Sequence, residues 1–192
     1  MANQLITLDE YKTYKGIRSV EKDDQIRFII SAVNSFVKNY CNRTFVDQYD
    51  TGNELTTYFD GTGTNLVYLD ECPLINVATV STSIDGGITQ ELLVEDTDYY
   101  VDMQEGTIQT VSGSVFVLGA TNPHKTLEVV YLGGYEVAPD DLKIACLDLV
   151  EYYKEESYTP KKSLKSSETT QFITKELPPH IKRVFDLYRV IY

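Results

Sequence analysis

Asp98-Tyr99-Tyr100-Val101-Asp102-Met103-Gln104-Glu105-Gly106-Thr107-Ile108-Gln109-Thr110-Val111 decides the fold. Two short runs rich in β-branched and aromatic residues flank a Glu105-Gly106 reversal. A connection this short joins only antiparallel strands, because a parallel pair needs a long crossover. The same pattern continues on either side. Runs at 55–59, 66–70, 75–82, 88–94, 98–102, 107–111, 114–118 and 126–132 are predicted strands, separated by Asp60-Gly61-Thr62-Gly63, Asp85-Gly86-Gly87, Ser112-Gly113 and Gly133-Gly134. The expectation is a compact antiparallel β sandwich or open barrel over residues 50–134.

Outside this segment the apolar period changes from two to between three and four. Thr7-Leu8-Asp9-Glu10 has the form of a capping box, predicting a short helix to about Lys15 that stops at Gly16. From Asp23 or Asp24, Ile26, Ile29, Ile30, Val33, Phe36, Val37 and Tyr40 share one face of a second helix ending near Asn42. After Pro139, Leu142, Ala145, Cys146, Leu149, Val150 and Tyr153 form the apolar face of a third helix, to about Glu156. Residues 157–176 are polar and aperiodic, the pattern of a mobile arm. Pro178 and Pro179 open a last helix with Ile181, Val184, Phe185, Tyr188, Ile191 and Tyr192 on one side. The predicted class is therefore α+β: a helical scaffold of 1–49 and 135–192, carrying the arm 157–176, with an inserted acidic antiparallel β domain at 50–134.

Charge is placed unevenly. Residues 50–139 hold 14 acidic groups and one cation, Lys125, whereas residues 1–49 hold 7 basic and 6 acidic groups and residues 140–192 hold 9 of each. The middle segment thus carries essentially all of the formal net charge of −12. Such a segment repels free nucleic acid and lacks the cations whose counterion release drives DNA affinity.

The remaining composition, 42% hydrophobic and 24% charged over 192 residues, is that of a folded globular chain. Charges break up the first twenty residues, so no signal peptide is visible, and no apolar run approaches the roughly 20 residues needed to span a bilayer. A soluble protein is expected. Cys41, Cys72 and Cys146 are odd in number and widely spaced, which reads as three reduced thiols rather than disulfides or a zinc site.

Residue patterns for catalysis are weak. His124 and His180 lie in loop-like or helix-start contexts outside any nucleophile motif. Asp60-Gly61-Thr62-Gly63 lacks the Lys-Ser/Thr of a phosphate loop and reads as a hairpin turn. Asp96, Asp98, Asp102 and Glu105 depart from calcium-loop spacing, and Asp70-Glu71 reads as a solvated strand end rather than a pair of catalytic carboxylates. Among 15 tyrosines, those of the β segment sit among acids, which excludes a nucleic-acid stacking groove and leaves half-buried strand tyrosines or a sugar platform. No catalytic, cofactor or metal residues are assigned. The residues expected to meet a partner are Phe185, Tyr188, Ile191 and Tyr192, whose apolar face continues past the point where a helix end frays, and Phe172 with Ile173 as an aromatic anchor in the arm.

Several segments carry a resemblance. These are Leu5-Ile6-Thr7-Leu8-Asp9-Glu10-Tyr11-Lys12, Tyr40-Cys41-Asn42-Arg43-Thr44-Phe45, Pro73-Leu74-Ile75-Asn76-Val77 and Asp98-Tyr99-Tyr100-Val101-Asp102 with Gly106-Thr107-Ile108. They continue with Val129-Val130-Tyr131-Leu132-Gly133-Gly134-Tyr135, Pro139-Asp140-Asp141-Leu142-Lys143-Ile144-Ala145 and the Leu177-Pro178-Pro179 helix. In this order the chain resembles the head-tail connector family of tailed phages, also called head completion or adaptor proteins, in its longer form with a β insertion. The similarity spans most of the chain.

The resemblance implies a non-enzymatic structural subunit without a cofactor. It implies a homo-oligomeric ring, typically dodecameric, docked beneath the portal protein and extending the DNA channel toward a stopper or tail-completion protein. Genomic DNA would pass through without sequence-specific binding, and no membrane is involved. The implied place is the virion neck, at the head-tail junction, after synthesis in the host cytoplasm. The competing reading from the residues alone is a carbohydrate- or cation-binding β module of a phage or bacterial surface protein.

Overall fold

The computed structural model describes residues 4–50, 52–61, 63–111, 116, 124–158 and 177–190, with only the backbone of 156–158. The expected strand 114–118 apart from Phe116, the arm beyond Tyr158, and Phe172, Ile173, Ile191 and Tyr192 lie outside them. The chain divides into two compact units, one formed by Arg43–Val137 and the other by Gln4–Asn42 with Ala138–Tyr192.

The second unit is helical. Helix α1 (Leu8–Lys15) starts with both halves of the capping box: the Glu10 N–H donates to Thr7 Oγ1 at 3.3 Å and the Thr7 N–H to Glu10 Oε2 at 2.8 Å. It ends where Gly16 adopts φ +65°. Helix α2 (Asp23–Cys41) closes on a left-handed Asn42, and α3 (Asp140–Tyr158) runs two residues past its expected end. Helix α4 (Pro179–Tyr188) begins at the second proline of its Pro-Pro start. Their apolar faces meet in one core, where Tyr11, Val33, Val37, Leu142, Leu149 and Phe185 are fully buried, each stabilising by roughly 1.5–3 kcal/mol relative to exposure.

Asn34 is the polar exception inside this core, 6% exposed. Its Oδ1 accepts the Leu5 N–H at 2.9 Å and the Ile6 N–H at 3.3 Å, and its amide donates back to the Ile6 carbonyl. Asn34 thereby holds the segment preceding α1 onto α2. Asn34→Ala strands two buried amides and is expected to cost about 1–3 kcal/mol, seen as a lower urea midpoint at unchanged slope.

The first unit is built of antiparallel ladders in two sheets. β1 (Leu55–Phe59), β7 (Leu127–Gly133), β3 (Leu74–Thr82) and β4 (Glu91–Leu92) form one, in the order β1-β7-β3-β4. β2 (Leu66–Tyr68), β6 (Thr107–Thr110) and β5 (Tyr99–Asp102) form the other, in the order β2-β6-β5. Leu74, Val80, Leu127, Val129 and Tyr131 from the first sheet share a buried cluster with Tyr99 and Ile108 from the second, the packing of a sandwich. Alternation along β6, where Ile108 and Thr110 are buried and Gln109 is exposed, follows the two-residue period.

Two expectations are corrected here. The strand at 88–94 shrinks to Glu91–Leu92 because Asp85 draws the preceding backbone into a turn, accepting the Ile88 and Thr89 N–H groups. Residues 135–137, and likewise residues 43–49, fall in the β unit rather than the helical scaffold. The backbone of 43–49 is bonded by Glu71, Tyr135 and Gly133.

Candidate assembly site

Neither histidine is built into a reactive arrangement. His180 is exposed, and the exposed His124 places Nδ1 3.2 Å from Asp60, whose other oxygen accepts the Lys125 N–H at 2.9 Å. Among the described residues, no group of three or more His, Cys, Asp or Glu is gathered to hold a metal ion. Asp98 and Asp102 instead cap local backbone, Asp98 accepting the Val94 N–H and Asp102 those of Gln104 and Glu105. Cys41 and Cys146 are buried, and burial pushes the Cys146 thiol up to about 12, far from a reactive thiolate. Among the described residues no helix is long and apolar enough to cross a membrane.

Glu71 overturns the reading of a solvated strand end, being 3% exposed. Its two oxygens accept the backbone N–H groups of Thr44 and, at 3.1 Å, Phe45. Arg43, 6% exposed, lies beside it with Nε 3.8 Å from Oε2, donates from its guanidinium to the Cys72 carbonyl, and stacks near the rings of Phe45 and Tyr135 at 5.0 and 5.9 Å. The clamp explains an unusual backbone. Phe45 is fully buried with φ +67°, a region bulky residues avoid. It is held there because Glu71 takes its N–H while its carbonyl accepts the Tyr135 N–H at 2.7 Å.

Gly133 and Gly134 complete the junction through close approach rather than as a simple turn. A Cβ on Gly133 would lie 2.1 Å from the Glu71 carbonyl oxygen, and one on Gly134 2.2 Å from that of Phe45. These contacts fasten the segment leaving α2, the β2–β3 connection and the end of β7 into one knot. Sequence reasoning missed Glu71 because the amides its carboxylate accepts, those of Thr44 and Phe45, lie 27 and 26 residues away. The available signal was a lone Arg43 beside an aromatic at the end of an amphipathic helix.

The expected partner-facing residues separate. Phe185 is fully buried, its ring 6.0 Å from that of Tyr40, so it closes the helical core rather than facing outward. Tyr188 is half-buried and donates its hydroxyl to Asp141 at 2.7 Å. The most exposed apolar side chains of this unit among the described residues are others: Phe28 is 78% exposed, Leu187 74% and Val20 71%. Phe28 falls off the Ile26/Ile29/Ile30/Val33 face of α2, and that displacement is the sequence signal that marks it.

The family model described as Head completion protein matches residues 4–191. The head completion protein of Escherichia phage T5 is 25% identical over 188 residues, covering 97% of this chain and 98% of that protein. Among solved structures, the fold is similar to a chain in the neck of an empty gene transfer agent particle computed with C6 symmetry. There the TM-score is 0.56 and the identity 13%, over 100% of this chain and 96% of the other. A chain in the neck of the native particle, computed with C12 symmetry, has TM-score 0.54 and 12% identity over the same shares.

Proposed function

We propose that this chain, which belongs to the head completion protein family, is a structural subunit of the head-tail junction of a tailed-phage particle. In this reading it forms a ring beneath the portal, extends the DNA channel, and docks the next neck or tail protein. The observation that carries it is the family match over residues 4–191, which includes both the helical and the β unit. The similar folds in neck particles of C6 and C12 symmetry support a cyclic assembly. A heterologous ring closes without leaving free contact surfaces, and the exposed Phe28, Leu187 and Val20 of the helical unit are available for such contacts. Leu187, Tyr188, Ile191 and Tyr192 make up the segment we assign to the portal side.

The subunit acts by binding and shape, without catalysis. Its acidic β segment repels the DNA backbone, so DNA moving past such a surface does not adhere. The experiment is light scattering of the purified chain, alone and mixed with its portal, with electron-microscope images of the products. A ring, or a monomer that joins the portal, is the expected result. A monomer that ignores the portal and binds a glycan or calcium through the β unit would overturn the reading.

A further inference from the structure

The outer end of β3 leads into a loop that is pinned from within. Ser83 is buried, and its N–H donates to the Thr126 carbonyl at 2.7 Å. Its Oγ accepts the Gly87 N–H at 2.9 Å and donates to Asp85 Oδ1 at 2.7 Å. That same carboxylate oxygen accepts the N–H groups of Ile88 at 3.1 Å and Thr89 at 2.8 Å. The Thr89 backbone donor and the Ser83 hydroxyl are the leading causes that lower the Asp85 carboxyl to about 2. A lowered carboxyl contributes fully above its unfolded value and loses that contribution only as pH falls toward 2, so the loop is pinned at neutral pH.

On this frame sit four exposed aliphatic side chains: Ile88 at 85%, Leu92 at 68%, and Ile84 and Val94 at 59% each. β4 is the edge of its sheet. Leu93 donates its N–H to Val80 at 2.9 Å, and Ser81 faces Leu92 in the register, so Leu92 is the non-bonded position whose N–H and carbonyl face the open side. Alternation puts Leu92 and Val94 on one face and Glu91 on the other. Beside the edge, a cleft of about 240 Å³ is lined by Thr82, Ser83, Ile84, Asp85, Thr89 and Glu91. Residues 84–98 include Asp85, Glu91, Glu95, Asp96 and Asp98 and no base.

We infer that the open edge at Leu92, flanked by the exposed side chains of Ile84, Ile88 and Val94, docks an extended segment of a different neck protein, in which aliphatic side chains alternate with basic ones. The aliphatic side chains cover Ile88, Leu92 and Val94 while the basic ones meet Glu91 and the Asp85 cleft. The added strand pairs with the open side of β4. Charge favours a basic occupant over the β segment of a second copy, which would bring 14 acids and one base against the same acidic rim, and over its helical residues, whose charges balance. This inference rests on the neck reading above and names the chemistry of the partner that reading calls for.

The test uses the full chain and a fluorescent peptide of alternating lysine and valine, followed by anisotropy. Saturable binding is expected. It should weaken about tenfold or more when Ile88→Ser and Leu92→Ser are combined, a pair that leaves every charge in place, and it should fall in roughly 0.5 M salt. A glutamate-valine peptide, or one with proline at alternate positions, should not bind. Absence of saturable binding, or equal binding to the serine pair, would overturn the inference.

A photo-cross-linking amino acid in place of Ile88 then reports the neighbour in assembled particles. A link to a different neck protein supports the inference, whereas a link to another copy, or to residues 159–176 of this chain, overturns it. If the chain is not incorporated into particles at all, the neck reading fails, and the peptide result still decides whether the edge is a docking site.

Discussion

Replacing Glu71 by alanine is expected to destabilise the β unit by about 3–5 kcal/mol, a large part of the roughly 5–15 kcal/mol that holds a typical domain together. The substitution removes the acceptor of the Thr44 and Phe45 amides and leaves the Arg43 guanidinium buried without its counter-charge. With the clamp gone, the left-handed backbone of Phe45 loses the acceptor of its N–H. Glu71→Gln keeps the shape and one acceptor, so a smaller loss is expected. Arg43→Met combined with Glu71→Leu removes both charges together and should recover stability relative to Glu71→Ala, since a hydrophobic replacement of a buried pair is often neutral. Urea unfolding followed by tyrosine fluorescence reads all three, the chain having no tryptophan. A Glu71→Ala midpoint indistinguishable from the parent would refute the clamp.

Gly134→Ala is expected to be comparably severe, at roughly 2–6 kcal/mol from backbone strain and overpacking together. At φ +99° a side chain is already disfavoured, and the new methyl would stand 2.2 Å from a backbone carbonyl oxygen, which cannot rotate away as a side chain would. The displaced group is the Phe45 carbonyl, so the Tyr135 bond to it opens as well. Gly16→Ala provides the comparison. Gly16 also has positive φ, +65°, but nothing lies within 4 Å of its added carbon, so only the strain is felt. A Gly134→Ala protein no less stable than Gly16→Ala would show that the junction relaxes freely.

The parts of the fold legible in the sequence were those specified by local chemistry. Thr7 and Glu10 announced the start of α1 because a capping box is satisfied within four residues. Period alone placed α2, since Ile26, Ile29, Ile30, Val33 and Val37 all turn inward. Long-range pairing was not legible. Glu71 looked solvated because Asp70 stands beside it and Arg43 lies far back along the chain. The strand at 88–94 looked continuous because the period-two pattern cannot register a single aspartate recruiting two amides. The period that suggests an outward-facing Phe185 in fact turns it into the helical core. An apolar helix face reveals that something covers it, without revealing whether the cover comes from the same chain.

The hydrogen bond from the Tyr135 N–H to the Phe45 carbonyl has a further consequence for the entropy of the chain. An insertion between α2 and α3 acts on the helices as a loop whose ends must be brought together, and the cost of closure grows with the logarithm of its length. With its two ends tied at the base, the span Arg43–Val137 behaves toward the helical unit as a short connection, which spares about 2–3 kcal/mol relative to an untied one. The same tether makes the β unit a graftable module, in which strands and loops beyond Phe45 and Tyr135 can lengthen, shorten or be exchanged without changing the distance the helices must span.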